Sequence, residues 1–372
     1  MALSQPSGTK PGARMKAVVQ NEYGPPEVLR IEEVPRPVPR DGEVLIRIRA
    51  STVSQTDTHG RSAHPVIWRL FGGLRRPRHR TLGVELSGEV AALGPGVTRF
   101  HVGDAVFGTP QGFGAHAEYI CLREGGALAL KPANISFEEA AAVCDGAGQA
   151  LSTLRVANVQ AGQRIVIYGA SGSLGTAAVQ LAKELGAHVT GVCSTTHLEL
   201  VRSLGADEVV DYTQDDFRKN GPFDAIIDAV GKYSFRKGRI ALKPRGIYVG
   251  TDLGQDGLAT LVMAVTTKWI GDKRLKMAIG RRSRQDVEHM KALIEAGKFH
   301  PVVDRTYPME QAVEAHRYVE AWHKAGNVVL TMGGDAATRA GFLAEVGEAE
   351  AEHQAGDARS FDDVEQLIDQ VH

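Results

Sequence analysis

The chain has 372 residues, with 43 Lys and Arg against 44 Asp and Glu and a formal net charge of −1. That length supports two domains with sizeable cores, and the balanced charge gives no reason to expect nucleic acid or an anionic membrane surface as a partner. No apolar run reaches the roughly 20 residues that span a bilayer, and the three scattered cysteines, Cys121, Cys144 and Cys193, exclude a four-cysteine zinc cluster and fit a reduced, cytoplasmic protein.

Met1–Arg14 is polar, rich in Pro, Gly and Ser, and lacks an apolar signal core, so it reads as a flexible leader. Met15–Val19 predicts the first strand and Val28–Ile31 the second; the Pro-rich run Pro35–Pro39 must be extended. After the Asp41–Gly42 turn, Glu43–Ala50 alternates as a half-buried strand. Leu82–Val90, Asp104–Gly108 and Ala117–Cys121 are further short strands, punctuated by Gly88, Gly94, Gly96 and Gly103. Residues 15–133 therefore predict a β-rich, barrel-like unit.

The pattern then changes. Ser136–Glu139 is a capping box that opens an Ala-rich helix. From there to about residue 280 strands alternate with helices, the strands falling at 164–168, 188–193, 208–210, 224–229, 246–250 and 274–279. Thr196–Glu199 reads as a second capping box, with its helix ending at Gly205. Such alternation predicts a doubly wound parallel sheet. Ser283–Asp286 caps a helix that runs to Gly297, and strands at Pro301–Tyr307 and Asn327–Met332 flank a helix at 309–323. These last elements are expected to complete the first unit. The predicted division is a leader at 1–14, a catalytic domain at 15–133 and 282–334, a cofactor domain at 134–281, and an acidic extension at 335–372 in which Ser360–Asp363 resembles a helix cap.

The most informative stretch is Arg164–Gly175. A short β-branched strand leads into Gly169, Ala170, Ser171, Gly172, Ser173, Leu174 and Gly175, and helical spacing follows up to Gly186. Strand, glycine turn and helix together make a dinucleotide-site signature. Gly172 lets the backbone approach a pyrophosphate, Gly175 lets the helix pack on the strand, and the helix N-terminus offers free amides and its positive dipole end. The pattern departs from G-x-G-x-x-G in having Ala170 at its first position. An NAD site usually carries an acid at the end of the next strand. Here His188–Cys193 ends in Ser194, Thr195, Thr196 and His197. That favours NADPH, with NADH the alternative, and makes Ser194, Thr195 and His197 candidates for its 2′-phosphate. Gly250 and Thr251 follow a strand at the carboxyl end of the sheet and are candidates for nicotinamide contact. Asp228 either borders the cleft or caps the next turn.

With these motifs placed, the chain resembles the zinc-independent, quinone oxidoreductase-like branch of the medium-chain dehydrogenase/reductase superfamily. The resemblance is carried by Met15–Val19 with Tyr23–Leu29, by Gly83–Val90 with Gly94, Gly96 and Val97, by Gly114–Tyr119, by the turn 169–175, by Leu204–Asp207 and by Phe223–Gly231. It implies a GroES-like barrel beside a Rossmann domain, with the active site in the cleft between them. It also implies that Tyr212 lies near the adenosine phosphate, that Asn327 approaches the cofactor, and that the protein is a homodimer with 274–279 as the edge strand. Zinc-dependent cousins hold a catalytic metal on a Cys and a His; the matching places here are Ser54 and Val84, neither a good ligand. Ser54 and Gln55 then become candidates to bind a substrate oxygen. Asp57 and Arg61 resemble a paired family position, either catalytic or an ion pair that holds the loop. The sequence departs from its relatives at Cys144–Asp145 and Gln149. The expected activity is hydride transfer from NADPH to a small quinone, enone or carbonyl substrate, without zinc. Zinc-free alcohol dehydrogenation and a non-enzymatic nucleotide-binding role are the alternatives.

Overall fold

The computed structural model describes residues 13–333, apart from 65–68, 70, 71, 253–256, 258, 268, 279, 281, 282 and 323. The extension, with its Ser360–Asp363 cap, lies outside the described residues, as does nearly all of the leader. Fifteen strands are described, in chain order: β1 Arg14–Val19, β2 Arg30–Pro35, β3 Glu43–Val53, β4 Leu86–Leu93, β5 Ala105–Gly108, β6 Tyr119–Arg123, β7 Leu128–Leu130, β8 Arg164–Tyr168, β9 His188–Cys193, β10 Glu208–Asp211, β11 Phe223–Asp228, β12 Leu242–Gly250, β13 Arg274–Met277, β14 Val303–Pro308 and β15 Asn327–Thr331. The β2 expectation needs correction. Pro26–Val28 forms a 3-10 turn, and the strand itself is Arg30–Pro35, paired antiparallel with β1. Proline at the first turn positions starts the 3-10 segment where an alternating pattern alone predicts a strand.

Two larger sheets carry the cores. The first runs β14-β15-β3-β4-β5-β7, with β6 also on β3. β15 pairs antiparallel with β3, Val328 opposite Val53 and Val329 opposite Thr52, so the chain's last described strand lies beside the long strand that leads into Ser54. The second sheet has the order β10-β9-β8-β11-β12-β13, and all of its pairings are parallel. Strand order reverses between β8 and β11, which is where a doubly wound sheet opens a ligand crevice at its carboxyl edge. Strands β8, β9 and β11 are almost wholly buried and β-branched (Ile165, Val166, Ile167, Val189, Val192, Ile226, Ile227) because helices cover both faces.

The two sheets share one packed region. Phe107, Ala127 and Ala129 of the first join Ala140, Val143, Ala147 and Leu151 and the β8 side chains in a single apolar cluster. The two capped helices behave differently. Ser136 and Glu139 form the predicted reciprocal capping box at Phe137–Ala141. The Thr196–Glu199 box does not form: Thr195–His197 is a 3-10 turn, the helix is Leu198–Ser203, and Glu199 pairs with Arg202 instead. Glu199 is one residue too close to the true helix start to reach back to a cap at Thr196.

Candidate functional site

The glycine turn sits at the switch point. Gly169 has φ +83°, and a Cβ there would lie 2.5 Å from Val230 Cγ1. A Cβ on Gly175 would lie 2.1 Å from the Gly169 carbonyl oxygen, so this glycine lets the helix Ser173–Glu184 press onto the turn. Gly172 differs from both. A Cβ there meets only the Gly169 oxygen, at 3.7 Å, and no side chain caps the helix it opens. The protein leaves room above Gly172 and leaves first-turn amides uncapped, which is the cradle a pyrophosphate needs. Ala170 is fully buried and fills space under the turn. Ser171 accepts the Gly326 amide at 2.7 Å, and Ser173 Oγ donates to Asn327 Oδ1 at 2.5 Å. The Asn327 amide nitrogen donates to the carbonyls of Ala142 and Val302. Asn327 therefore clasps the cofactor helix to the barrel sheet, and its side-chain groups are already engaged.

At the adenosine end, Tyr212 is exposed, with its ring 6.4 Å from that of Tyr168, which stacks on Tyr233 at 4.7 Å. Ser194 and His197, after the end of β9, are half-buried. The Thr195 hydroxyl donates to Asp211 Oδ2, and Asp211 also accepts from the amide and hydroxyl of Thr213. These bonds hold the Asp211 carboxyl below its usual range, the Thr195 hydroxyl being the largest cause. The sequence reading found no acid at the end of β9; the structure brings one in from the neighbouring β10, where Asp211 pairs with Cys193. At the other end of the crevice, Thr251 donates to the Asp228 carbonyl at 3.1 Å, which holds Thr251 at the end of β12 against β11. Gly250 is buried between Asp252 and Met277. Asp228 is the turn cap: its carboxylate accepts amides of Val230, Gly231 and Tyr233 and the Tyr248 hydroxyl.

The barrel side of the cleft is built on Ser54, the N-cap of the helix Gln55–Ser62. Asp57 is fully buried. Its Oδ2 accepts the Ser54 amide at 2.8 Å and the Ser54 hydroxyl at 2.9 Å, and its Oδ1 accepts the Gly83 amide at 2.8 Å. Gln55 is also committed: its Nε2 donates to Val319 O and its Oε1 accepts the Thr58 hydroxyl. Arg61 is fully buried and its guanidinium pairs with Glu320. Asp57 and Arg61 are therefore not partners. One locks the loop to Gly83 and the other locks the helix to the element before β15. This corrects the pairing expected between them, and it gives Ser54, Asp57 and Arg61 structural employment.

Val84 is fully buried, and its carbonyl accepts the Thr109 hydroxyl at 2.6 Å. With Ser54 donating its only proton to Asp57, this pair of positions does not fit zinc, which takes thiolate, imidazole or carboxylate donors. Among the described residues no three His, Cys, Asp or Glu side chains gather as a metal site.

Two titratable groups at the cleft, Glu85 and Lys324, were not anticipated. Glu85 is buried; its carboxyl takes the Thr52 hydroxyl at 2.5 Å and the Asp145 amide at 2.7 Å. Burial, followed by the nearby Asp145, raises its pKa well above the carboxylate range. Lys324, in the loop before β15, is lowered to about 8, chiefly by burial. Only the Cys144–Asp145 departure hinted at this cluster.

Comparison with known proteins agrees with the geometry. The alcohol dehydrogenase GroES-like domain family matches residues 40–133, and the family described as zinc-binding dehydrogenase matches residues 204–330. The mitochondrial NAD(P)H oxidoreductase RTN4IP1 of Mus musculus is 30% identical over 364 residues, covering 86% of this chain and 89% of the relative. The chain belongs to the medium-chain dehydrogenase/reductase superfamily. Within that superfamily it falls in the quinone oxidoreductase-like branch. The chloroplastic NADPH-dependent alkenal/one oxidoreductase of Arabidopsis thaliana is 30% identical, with 85% of this chain and 79% of the relative covered. The structure of a quinone oxidoreductase from Coxiella burnetii superposes with a TM-score of 0.75 at 27% identity, covering 86% of this chain and 99% of that one. The superfamily fold, a GroES-like barrel with a Rossmann sheet, is the α/β architecture expected from the sequence.

Proposed function

We propose that this protein transfers a hydride from NADPH to a quinone, enone or carbonyl acceptor without zinc. It is an oxidoreductase of the nicotinamide-dependent kind; the phosphorylated cofactor, the acceptor class and the metal-free mechanism are our reading. The observation that carries it is the uncapped, unobstructed Gly172 turn facing a cleft whose two metal positions hold a committed serine and a buried valine. Gly172 and the first-turn amides would hold the pyrophosphate, Ser194 and His197 the 2′-phosphate, Tyr212 the adenosine, and Gly250 and Thr251 would border the nicotinamide. The bound cofactor supplies the hydride; the chain orients it, excludes water and handles the proton. NADPH oxidation against a panel of quinones and enones, with metal content measured on the same protein, tests this. Turnover in metal-free protein is expected, and a stoichiometric zinc required for turnover would refute it.

A second reading concerns the cofactor. Asp211 lies beside Thr195 and is ionised, and a carboxylate there disfavours a 2′-phosphate. The names of relatives quoted above include both NAD(P)H and NADPH, and Ser194 at the end of β9 supports NADPH. Replacing Ser194 with Asp should move the NADPH-to-NADH preference toward NADH by about tenfold or more, equivalent to about 1.4 kcal/mol. An unchanged ratio of kcat/KM values would show that the 2′-phosphate sits elsewhere.

A homodimer and a cytoplasmic location belong to the same proposal. Cys121, Cys144 and Cys193 form no disulfide with one another, which supports a reducing compartment. Trp269 and Ile270 are 76% and 71% exposed, and the helix Ala259–Thr266 packs on edge strand β13 with Val262 also exposed. Such an apolar edge supports pairing of two copies. A Trp269→Glu variant should shift the protein toward monomer in light scattering; a wild-type monomer would contradict the dimer.

A further inference from the structure

We propose that Lys324 is the proton donor of this reduction: its side chain stands beside the Thr52–Glu85–Asp145 junction and gives a proton to the oxygen of the reduced acceptor. The inference rests on the functional reading above and adds to it the group that zinc loss leaves unnamed.

The fold places this lysine without help from a ligand. It lies between the helix Ala312–Glu320 and β15. Two residues on, Gly326 donates to Ser171 of the glycine turn; three residues on, Asn327 is bonded to Ser173 at the head of the cofactor helix. β15 runs antiparallel to β3 with Val328 opposite Val53, so the loop that carries Lys324 emerges beside Ser54, at the head of the barrel-side helix Gln55–Ser62. Lys324 thus sits between the phosphate turn and the barrel wall. Among the described residues its Nζ makes one hydrogen bond, to the Gly326 carbonyl of its own loop. Three carboxyl groups act on it through space: Asp304, Glu85 and Asp145. Two of them, Asp304 and Glu85, are held by other partners, and Asp145 stands in the first turn of a helix. Asp304 accepts the Tyr318 hydroxyl and the Ala325 amide; Glu85 is bonded to Thr52 and to the Asp145 amide; Asp145 opens the helix Cys144–Ala157.

The chemistry needs such a group. As the acceptor's β-carbon takes the hydride, the C=C electron pair moves toward the carbonyl and leaves an enolate. Lys324 Nζ loses one proton to that oxygen, giving the enol, which tautomerises to the saturated ketone. The neutral amine then recovers its proton from water. Burial lowers the ammonium's pKa to about 8 while the nearby acidic groups, Asp304 first, oppose the shift, so it is mostly protonated at neutral pH and releases a proton readily. The sign follows: the donor form is present below about pH 8, and activity falls as pH rises through that value.

Lys324→Met should lower kcat with an enone by about 100-fold or more, the usual scale for losing a general acid. NADPH affinity and melting temperature should stay near wild type, and the alkaline limb of the kcat profile should vanish. Glu85→Gln should keep that limb. A readout independent of turnover is pH-dependent acetylation of the protein without cofactor, followed by peptide mass spectrometry. The Lys324 labelling midpoint should fall near 8, below that of exposed lysines. Full activity in Lys324→Met, loss of the limb only in Glu85→Gln, or labelling of Lys324 like a surface lysine would each overturn the assignment. Wild-type protein that reduces no acceptor would instead overturn the functional reading beneath it.

Discussion

Gly175→Val is expected to prevent stable folding, while Gly172→Val, three residues away, should fold normally and lose NADPH. The motif assigns the two glycines different roles, and their surroundings bear out the difference. In the structure a Cβ on Gly175 would overlap the Gly169 carbonyl oxygen at 2.1 Å and Ala170 Cα at 2.7 Å, both backbone atoms that no rotamer change can move. Relieving the overlap means lifting the helix Ser173–Glu184 off β8, and with it the buried Ala177, Ala178 and Leu181. Overpacking costs typically about 1–3 kcal/mol where side chains can adjust, so a backbone clash at a buried turn should exceed about 3 kcal/mol, a large share of the stability of an ordinary domain. At Gly172 an added Cβ meets only the Gly169 oxygen, at 3.7 Å. The branched valine side chain would occupy the space the pyrophosphate needs, and its methyl groups would shield the first-turn amides. Chemical denaturation should therefore separate Gly175→Val from wild type and not Gly172→Val, and fluorescence titration should show NADPH affinity reduced by about 100-fold or more in the latter, equivalent to about 2.7 kcal/mol. A destabilised Gly172→Val that still binds NADPH would mean the turn is only structural.

Asp57→Asn should destabilise the protein without altering cofactor binding. Three donors converge on this buried carboxylate: the Ser54 amide, the Ser54 hydroxyl and the Gly83 amide. A carboxylate accepts all three, while a carboxamide presents an NH2 group to at least one of them. The loss of one charge-assisted bond and the orphaning of a buried donor together cost about 2–4 kcal/mol. The loop 54–62 then rests on the remaining ties of Gln55 to Val319 and of Arg61 to Glu320. Reduced stability with NADPH affinity near wild type is the expected result, measured by denaturation and titration on the same sample. If Asp57→Asn keeps full stability and loses turnover, the carboxylate acts on substrate instead of holding the loop.

The contrast between these residues explains which parts of the molecule were legible in the sequence. β8 and its glycine turn are local: the β-branched strand, the turn and the helical spacing lie within about twenty consecutive residues. So is the Ser136–Glu139 cap. What required the fold was every pairing between distant segments. Arg61 and Glu320 are 259 positions apart, and Arg61 carried no local sign that it would pass over Asp57, four residues away. Asp211 reaches Thr195 because β10 lies parallel to β9, which introduces a carboxylate where the end of β9 alone shows none. Lys324 gains its place from the antiparallel register of β15 on β3, and its neighbour Glu85 looked like part of a family signature. The Thr196–Glu199 pattern misled because a capping box depends on where the first helical turn starts, and a 3-10 turn shifted that start to Leu198.

The central claim is hydride transfer to an unsaturated acceptor in the cleft beside Gly172, with no zinc. The most direct measurement is the fate of the label when NADPH deuterated at the transferring position of its nicotinamide C4 reduces an enone in chelator-treated protein of verified metal content. One deuterium on the β-carbon of the product is the expected result in metal-free enzyme. Absence of label from the product, or transfer only after zinc is restored, would contradict it.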